Sequence, residues 1–176
     1  MIGDPQHNAL LSNYQPKGAS AVTAQGDRLT VIGVAASRQL AQADSQRVSE
    51  IADRFVQACA SSILPPALLA GIASRESRCG AVLDANGWGD GEHAFGILQI
   101  DKRSFQIVGQ DDPKGVAHIQ QAVGILHDNL AQVQHNHPDW PLARQLQGAV
   151  AAYNVGVRNV QTLDGMDIGT THDDYS

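Results

Sequence analysis

The stretch from Ala73 to Asp101, ASRESRCGAVLDANGWGDGEHAFGILQID, decides how the rest of the chain is read. It sets Glu76 at the end of an apolar segment and follows it with a glycine-rich loop carrying Asp84, Asp90 and Glu92. The apolar run Phe95-Gly96-Ile97-Leu98-Gln99-Ile100 then ends in Asp101. One carboxylate is thereby placed where burial favours its protonated form. The others sit where loop polarity and solvent leave them charged. Carboxylates in such separated environments are what acid-assisted cleavage of a glycosidic bond needs.

Just upstream, Pro65-Pro66 interrupts the chain and can seed a helix, because proline is tolerated in a first turn. Ala67, Leu68, Leu69, Ala70, Ile72 and Ala73 make that helix apolar on most sides, and Gly80 marks its end. Glu76 falls in the last turn, where a negative charge is unfavourable by about 0.3–1 kcal/mol. Arg75 and Arg78 flank it, but residues one and two apart do not share a helix face. Dipole and burial are both expected to push the Glu76 carboxyl up. Downstream, DANGWGDG holds three glycines and the turn signal Asn86-Gly87, which predicts a small hairpin or compact loop around Trp88. Phe95 to Ile100 suits a short buried strand or the approach to a helix.

Beyond that, Pro113 and Gly115 open the clearest helix. Val116, Ile119, Val123, Leu126, Leu130 and Val133 recur at spacings of three and four, so one continuous face is core. Pro138 and Pro141 close it and open another, with Leu142, Leu146, Val150 and Tyr153 along one side and Gly156 as its end. Upstream of the decisive stretch, residues 1–32 are polar and turn-rich and predict an irregular arm. Ala35 to Leu40 predicts a short helix, and a longer one follows from about Ser45. There Val48, Ile51, Phe55 and Cys59 share a face, with Asp44 or Ser45 as N-cap. The expected organisation is an arm over 1–32 and a single, mainly α domain over 33–176 with a small β element, an α+β class.

Composition sets outer limits. At 176 residues, 43% hydrophobic and 17% charged, the chain can bury a sizeable core and is unlike a disordered one. Its longest apolar runs are too short to span a bilayer, and its start has neither a basic nor a long apolar region of the signal-peptide kind. A net charge of −6 argues against a nucleic-acid partner. Cys59 and Cys79 fit either one bridge or two free thiols, the second being the simpler expectation. His135 and His137, with His127 upstream, have a metal-like spacing. No cysteine or carboxylate completes a set, so a solvated helix end is expected there, with no metal and no cofactor.

Candidate chemistry therefore rests on Glu76 as proton donor, with Asp90 and Asp101 returned towards it by the elements they follow. Asp84 and Glu92 are weaker candidates. Gln99, Tyr153 and Asn154 end apolar segments and can hydrogen-bond sugar hydroxyls or N-acetyl groups. Trp88, Phe95 and Phe105 can offer an apolar surface to a ring, although each alone is more often core.

Several of these pieces form a pattern. Ser74-Arg75-Glu76-Ser77, Asn86-Gly87-Trp88-Gly89-Asp90 and Phe95 through Ser104 look like goose-type lysozyme. So do Ala152-Tyr153-Asn154-Val155-Gly156 and Met166 through Tyr175. The likeness runs from about Gly33 to the end. It implies a lysozyme-like fold, with a small sheet beside the active-site cleft, that hydrolyses the β-1,4 bond between N-acetylmuramic acid and N-acetylglucosamine in peptidoglycan with inversion. It also implies Glu76 as general acid, Asp90 and Asp101 as water-positioning or water-activating groups, and Gln99, Tyr153 and Asn154 along the sugar sites.

Phe105 stands where the family usually has a histidine, which implies an altered sugar contact. The cysteines do not match the avian bridges, a pattern nearer the fish-like branch. Relatives also continue beyond the final motif into a further helix. The resemblance implies bacterial peptidoglycan as partner, a bacterial inhibitor protein as a second one, a monomer, and an extracellular, antibacterial setting with a cytoplasmic pool left open. Two alternatives remain: a lytic transglycosylase, with which the E-S, G-x-x-Q and A-Y-N pieces are shared, and a non-catalytic peptidoglycan-binding protein.

Overall fold

The computed structural model describes residues 9–176. Six α-helices and three very short strands form, in chain order, α1 (Ala21–Gly26), α2 (Gly33–Glu50), α3 (Ala52–Ala58), α4 (Pro66–Ser77), β1 (Trp88–Gly89), β2 (Ala94–Phe95), β3 (Ile100–Asp101), α5 (Val116–Asn136) and α6 (Leu142–Val155). The class is α+β, as the hydrophobic periodicity predicts. Packing divides the described residues between two compact units. One is Ala41–Gly124; the other joins Ala9–Leu40 to Ile125–Ser176. No helix among them is long and apolar enough to cross a membrane.

In the first unit α4 starts where its prolines place it, with Pro66 as the first helical residue. It closes on Arg78 in the left-handed conformation rather than on Gly80. Leu68, Leu69, Ile72 and Ala73 are buried, and α3 packs against this helix. The strands form an antiparallel sheet in the order β1-β2-β3. Trp88 pairs with Phe95, and Ala94 with Asp101. The two aromatics meet edge-on at 5.0 Å, the cross-strand contact that steadies so short a ladder. Asp84 sets up the preceding turn, its carboxylate accepting from the Asn86 and Trp88 amides at 2.8 Å each.

Three local expectations are corrected. The chain from Gly33 to Glu50 is one unbroken helix, and the interruption falls at Ile51. Residues 34–50 hold no glycine or proline, so nothing local stops propagation. Asp44 is therefore no cap; it lies inside α2 with no solvent exposure. The arm is not irregular throughout, since α1 forms within it and Ser20 Oγ accepts from the Thr23 amide; positions 1–8 of that arm lie outside the described residues. Both cysteines are free and buried.

In the second unit the C-terminal half of α5 buries Leu126, Leu130 and Val133. The spacing predicts burial of one side of α6, but every residue from Ala143 to Ala152 except Arg144 is buried, while Leu142 is exposed. Small residues explain this. Gly148 lets Val133, Val160 and Trp140 approach its backbone, and Ala151 and Ala152 join Val133, Val160 and Met166 in one cluster. The two glutamines this buries are satisfied, Gln145 donating to His137 O at 3.0 Å and Gln147 to Gln15 O at 3.0 Å. Gly156 ends the helix at φ 79°.

Candidate active site

Glu76 is half-buried in the last turn of α4. Its neighbour Ser77 is buried and donates through Oγ to Ile97 O at 2.8 Å, which ties this turn to the loop between β2 and β3. That loop, Gly96 to Gln99, leads into Asp101. The sheet register brings the two aspartates together: Gly89 opposes Ala94, and Ala94 opposes Asp101, so Asp90 follows β1 on the side where β3 ends.

Arg103 links them. Its Nη2 lies 2.6 Å from Asp101 Oδ2 and 3.8 Å from Asp90 Oδ2. Its Nε donates to both Asp101 oxygens at 2.9 Å, and its backbone amide to Oδ1 at 2.7 Å. Those hydrogen bonds, and the positive charge behind them, hold the Asp101 carboxyl below its usual range. By carbon-13 carboxyl titration, Asp101 is expected to titrate below the ordinary aspartate range. In Arg103→Ala it should return towards that range; an unchanged Asp101 would show that the clamp does not act in solution.

Gln99 is strained, at φ 45°, and folds back on itself. Its Nε2 donates to Gly96 O at 2.9 Å, and its amide lies against Gly89, where a Cβ would come within 2.2 Å of Oε1. A side chain at the position before Asp90 would therefore displace the Gln99 amide from where it lies. Lys102 Nζ sits 4.9 Å from the centre of the Trp88 ring, and Phe105 is 43% exposed. Tyr153 and Asn154 belong to the second unit, in the last turn of α6. There Asn154 Oδ1 accepts from the Thr171 amide at 2.8 Å and so anchors the C-terminal segment. The structure thus sets Asp90 and Gln99, which flank its strands, and Asp101, which ends β3, around one small sheet within the unit that also holds Glu76 and Phe105.

Two residues passed over in the sequence matter here. Arg103 lies two positions from Asp101, and an aspartate leading a turn can accept from the backbone two residues on, as Asp101 does from the Arg103 amide. His118 lies four and eight residues before Ala122 and Leu126 on the buried face of α5, a signal that was there to be read. It is fully buried, and its Nε2 accepts from the Leu98 amide at 3.2 Å. The proton is therefore on Nδ1, which has no partner among the described residues. Burial pushes this imidazole down to about 4, with Asp112 acting weakly the other way.

The unfolded chain takes up a proton near pH 6.5, whereas the folded chain does so only near 4. Stability is therefore unaffected above pH 6.5 and falls as pH drops from 6.5 to 4, by up to about 3 kcal/mol from this group. Denaturation midpoints at pH 7 and pH 4.5 measure the fall. His118→Gln, which keeps an acceptor for Leu98 without titrating, should flatten it.

His137, half of the metal-like pair, is spent on structure. Its Nε2 lies 2.8 Å from Val160 O and its ring stacks on Trp140. No group of three or more His, Cys, Asp or Glu among the described residues is placed to hold a metal ion.

Comparison with known proteins supplies the family. The family model Lysozyme g matches residues 10–176. The chain is 42% identical to lysozyme g of Gallus gallus over 166 residues, covering 94% of this chain and 77% of that protein. It is 42% identical to lysozyme g of Casuarius casuarius over 95% of this chain and 89% of that protein. With lysozyme g of the carp Cyprinus carpio it shares 39% identity over 90% of this chain and 84% of that protein. Such coverage takes in both units and every candidate residue, and the chain belongs to the g-type lysozyme family, a family of glycoside hydrolases.

Proposed function

We propose that this lysozyme cleaves the β-1,4 bond between N-acetylmuramic acid and N-acetylglucosamine in bacterial peptidoglycan with Glu76 as general acid and the Asp90–Asp101 pair managing water. The observation that supports this division of labour most is the Arg103 clamp. A carboxylate held ionised by a guanidinium is a weak base but a persistent hydrogen-bond acceptor. Asp101 is thus suited to orient a water and to offset positive charge developing on the sugar ring. Glu76 is half-buried in a different element, and it donates its proton to the departing oxygen. Separate carboxylates with a water between them give inversion, for which the pair needs about 6.5–9.5 Å.

Gln99, Tyr153 and Asn154 line the sugar sites in this reading. The Gln99 amide keeps one oxygen for substrate while its nitrogen is held by Gly96, and Phe105 offers a partly exposed ring. We further assign the protein to an antibacterial role outside the cell, as a monomer, with a bacterial inhibitor protein as a second partner.

The test is product analysis after incubation with purified peptidoglycan. New reducing ends, first released as the inverted anomer and carrying one added water, support the proposal. Products lighter by one water, in the 1,6-anhydro form, would make the protein a lytic transglycosylase. Tight wall binding with no released sugar would make it a binding protein.

A further inference from the structure

We propose that Asp44 is a positioning residue for Glu76, acting through Ser74 and Arg78. This rests on the reading of Glu76 as proton donor. Asp44 is a carboxylate without solvent exposure inside α2, and such a group persists only when its oxygens are fully engaged. Ser74 Oγ donates to its Oδ2 at 2.5 Å. Arg78 Nε lies 2.9 Å from Oδ2 and 3.1 Å from Oδ1. Arg47, one turn on in α2, also donates to it and sends its Nε to Arg78 O at 2.8 Å.

The partners of this carboxylate bracket Glu76. Ser74 and Arg78 are four apart and share one side of the last turn of α4. Glu76, two from each, leaves from the other side. Asp44 therefore holds the rear of the turn whose front presents the acid.

The backbone supports a purpose beyond packing. Arg78 sits at φ 54° and Cys79 at φ 53°, a left-handed pair where a helix end ordinarily uses glycine. Glycine at 78 would relieve the strain but would have no side chain to reach Asp44. The chain keeps a strained arginine and the anchor together. Strain of this kind persists where surrounding contacts over-determine it, and it gathers at functional sites.

The experiment separates position from stability. Arg78→Gly removes the anchor while easing the backbone, and it leaves Asp44 with Ser74 and Arg47; Ser74→Ala removes a single hydroxyl. On soluble peptidoglycan fragments both variants are expected to fold and to lose kcat roughly 10–100-fold with KM within about twofold. Ser74→Thr, which keeps the hydroxyl, should recover most of the loss. Folded Arg78→Gly and Ser74→Ala proteins with wild-type kcat, or a loss confined to KM, would overturn the proposal. Glu76→Gln run alongside tells the two readings apart. If it is inactive while the anchor variants are fully active, only the anchor falls; if it is active, the assignment of Glu76 falls and takes the anchor with it.

Discussion

Replacing Glu76 with glutamine is expected to lower reducing-sugar release from peptidoglycan by about 10²–10⁴-fold, the usual contribution of a positioned general acid. Glutamine keeps the volume and much of the hydrogen-bonding capacity of the side chain but has no proton to deliver to a leaving oxygen. The fold should not suffer. The residue is half-buried at a helix C-terminus, where loss of a negative charge is mildly stabilising, by roughly 0.3–1 kcal/mol. Circular dichroism and the denaturation midpoint should therefore match the parent while lysis is lost. A variant within tenfold of the parent would mean that the proton comes from another group.

The second large effect is expected at Gly96. It occupies φ +71°, and a Cβ there would lie 2.3 Å from His118 Nε2 and 2.6 Å from the adjoining ring carbon. The ring cannot step aside, because it is fully buried, edge-on to Phe95 and bonded to the Leu98 amide. Gly96→Ala combines left-handed strain with overpacking and should cost roughly 3 kcal/mol or more. For a domain of this size that lowers Tm by about 6–12 °C. Because the displaced backbone leads into Gln99 and Asp101, activity should fall in the folded fraction too. Gly91→Ala is the control. Its φ is +60°, but the nearest neighbour would be 3.7 Å away, so only the conformational cost of about 1 kcal/mol applies. Equal midpoints for the two variants would show that His118 yields and that the turn is softer than its packing suggests.

What the sequence discloses follows the range of the physics involved. Pro66 as a helix start, the 116–133 face and Gly156 as a helix end are decided within a few residues, and the structure keeps all three. Asp44 is the opposite case. Beside a serine it looks like a cap, and only Ser74 and Arg78, thirty and more positions away, show that it is a buried anion. The Asn86-Gly87 turn and the short strands were legible from glycine placement, whereas the clamp on Asp101 needed the folded sheet to bring Asp90 beside Arg103. The roles carried over from the family motifs were readable as residues; their electrostatics were not.

The two thiols have a consequence of a different kind. Cys59 and Cys79 are unpaired, buried, and pushed up by burial to about 11 each. At neutral pH almost no thiolate forms, so both are poor nucleophiles towards oxidants and alkylating reagents. No cross-link helps to hold this fold, and reductant has nothing to remove. The denaturation midpoint of these 176 residues is therefore expected to be the same with and without added reductant.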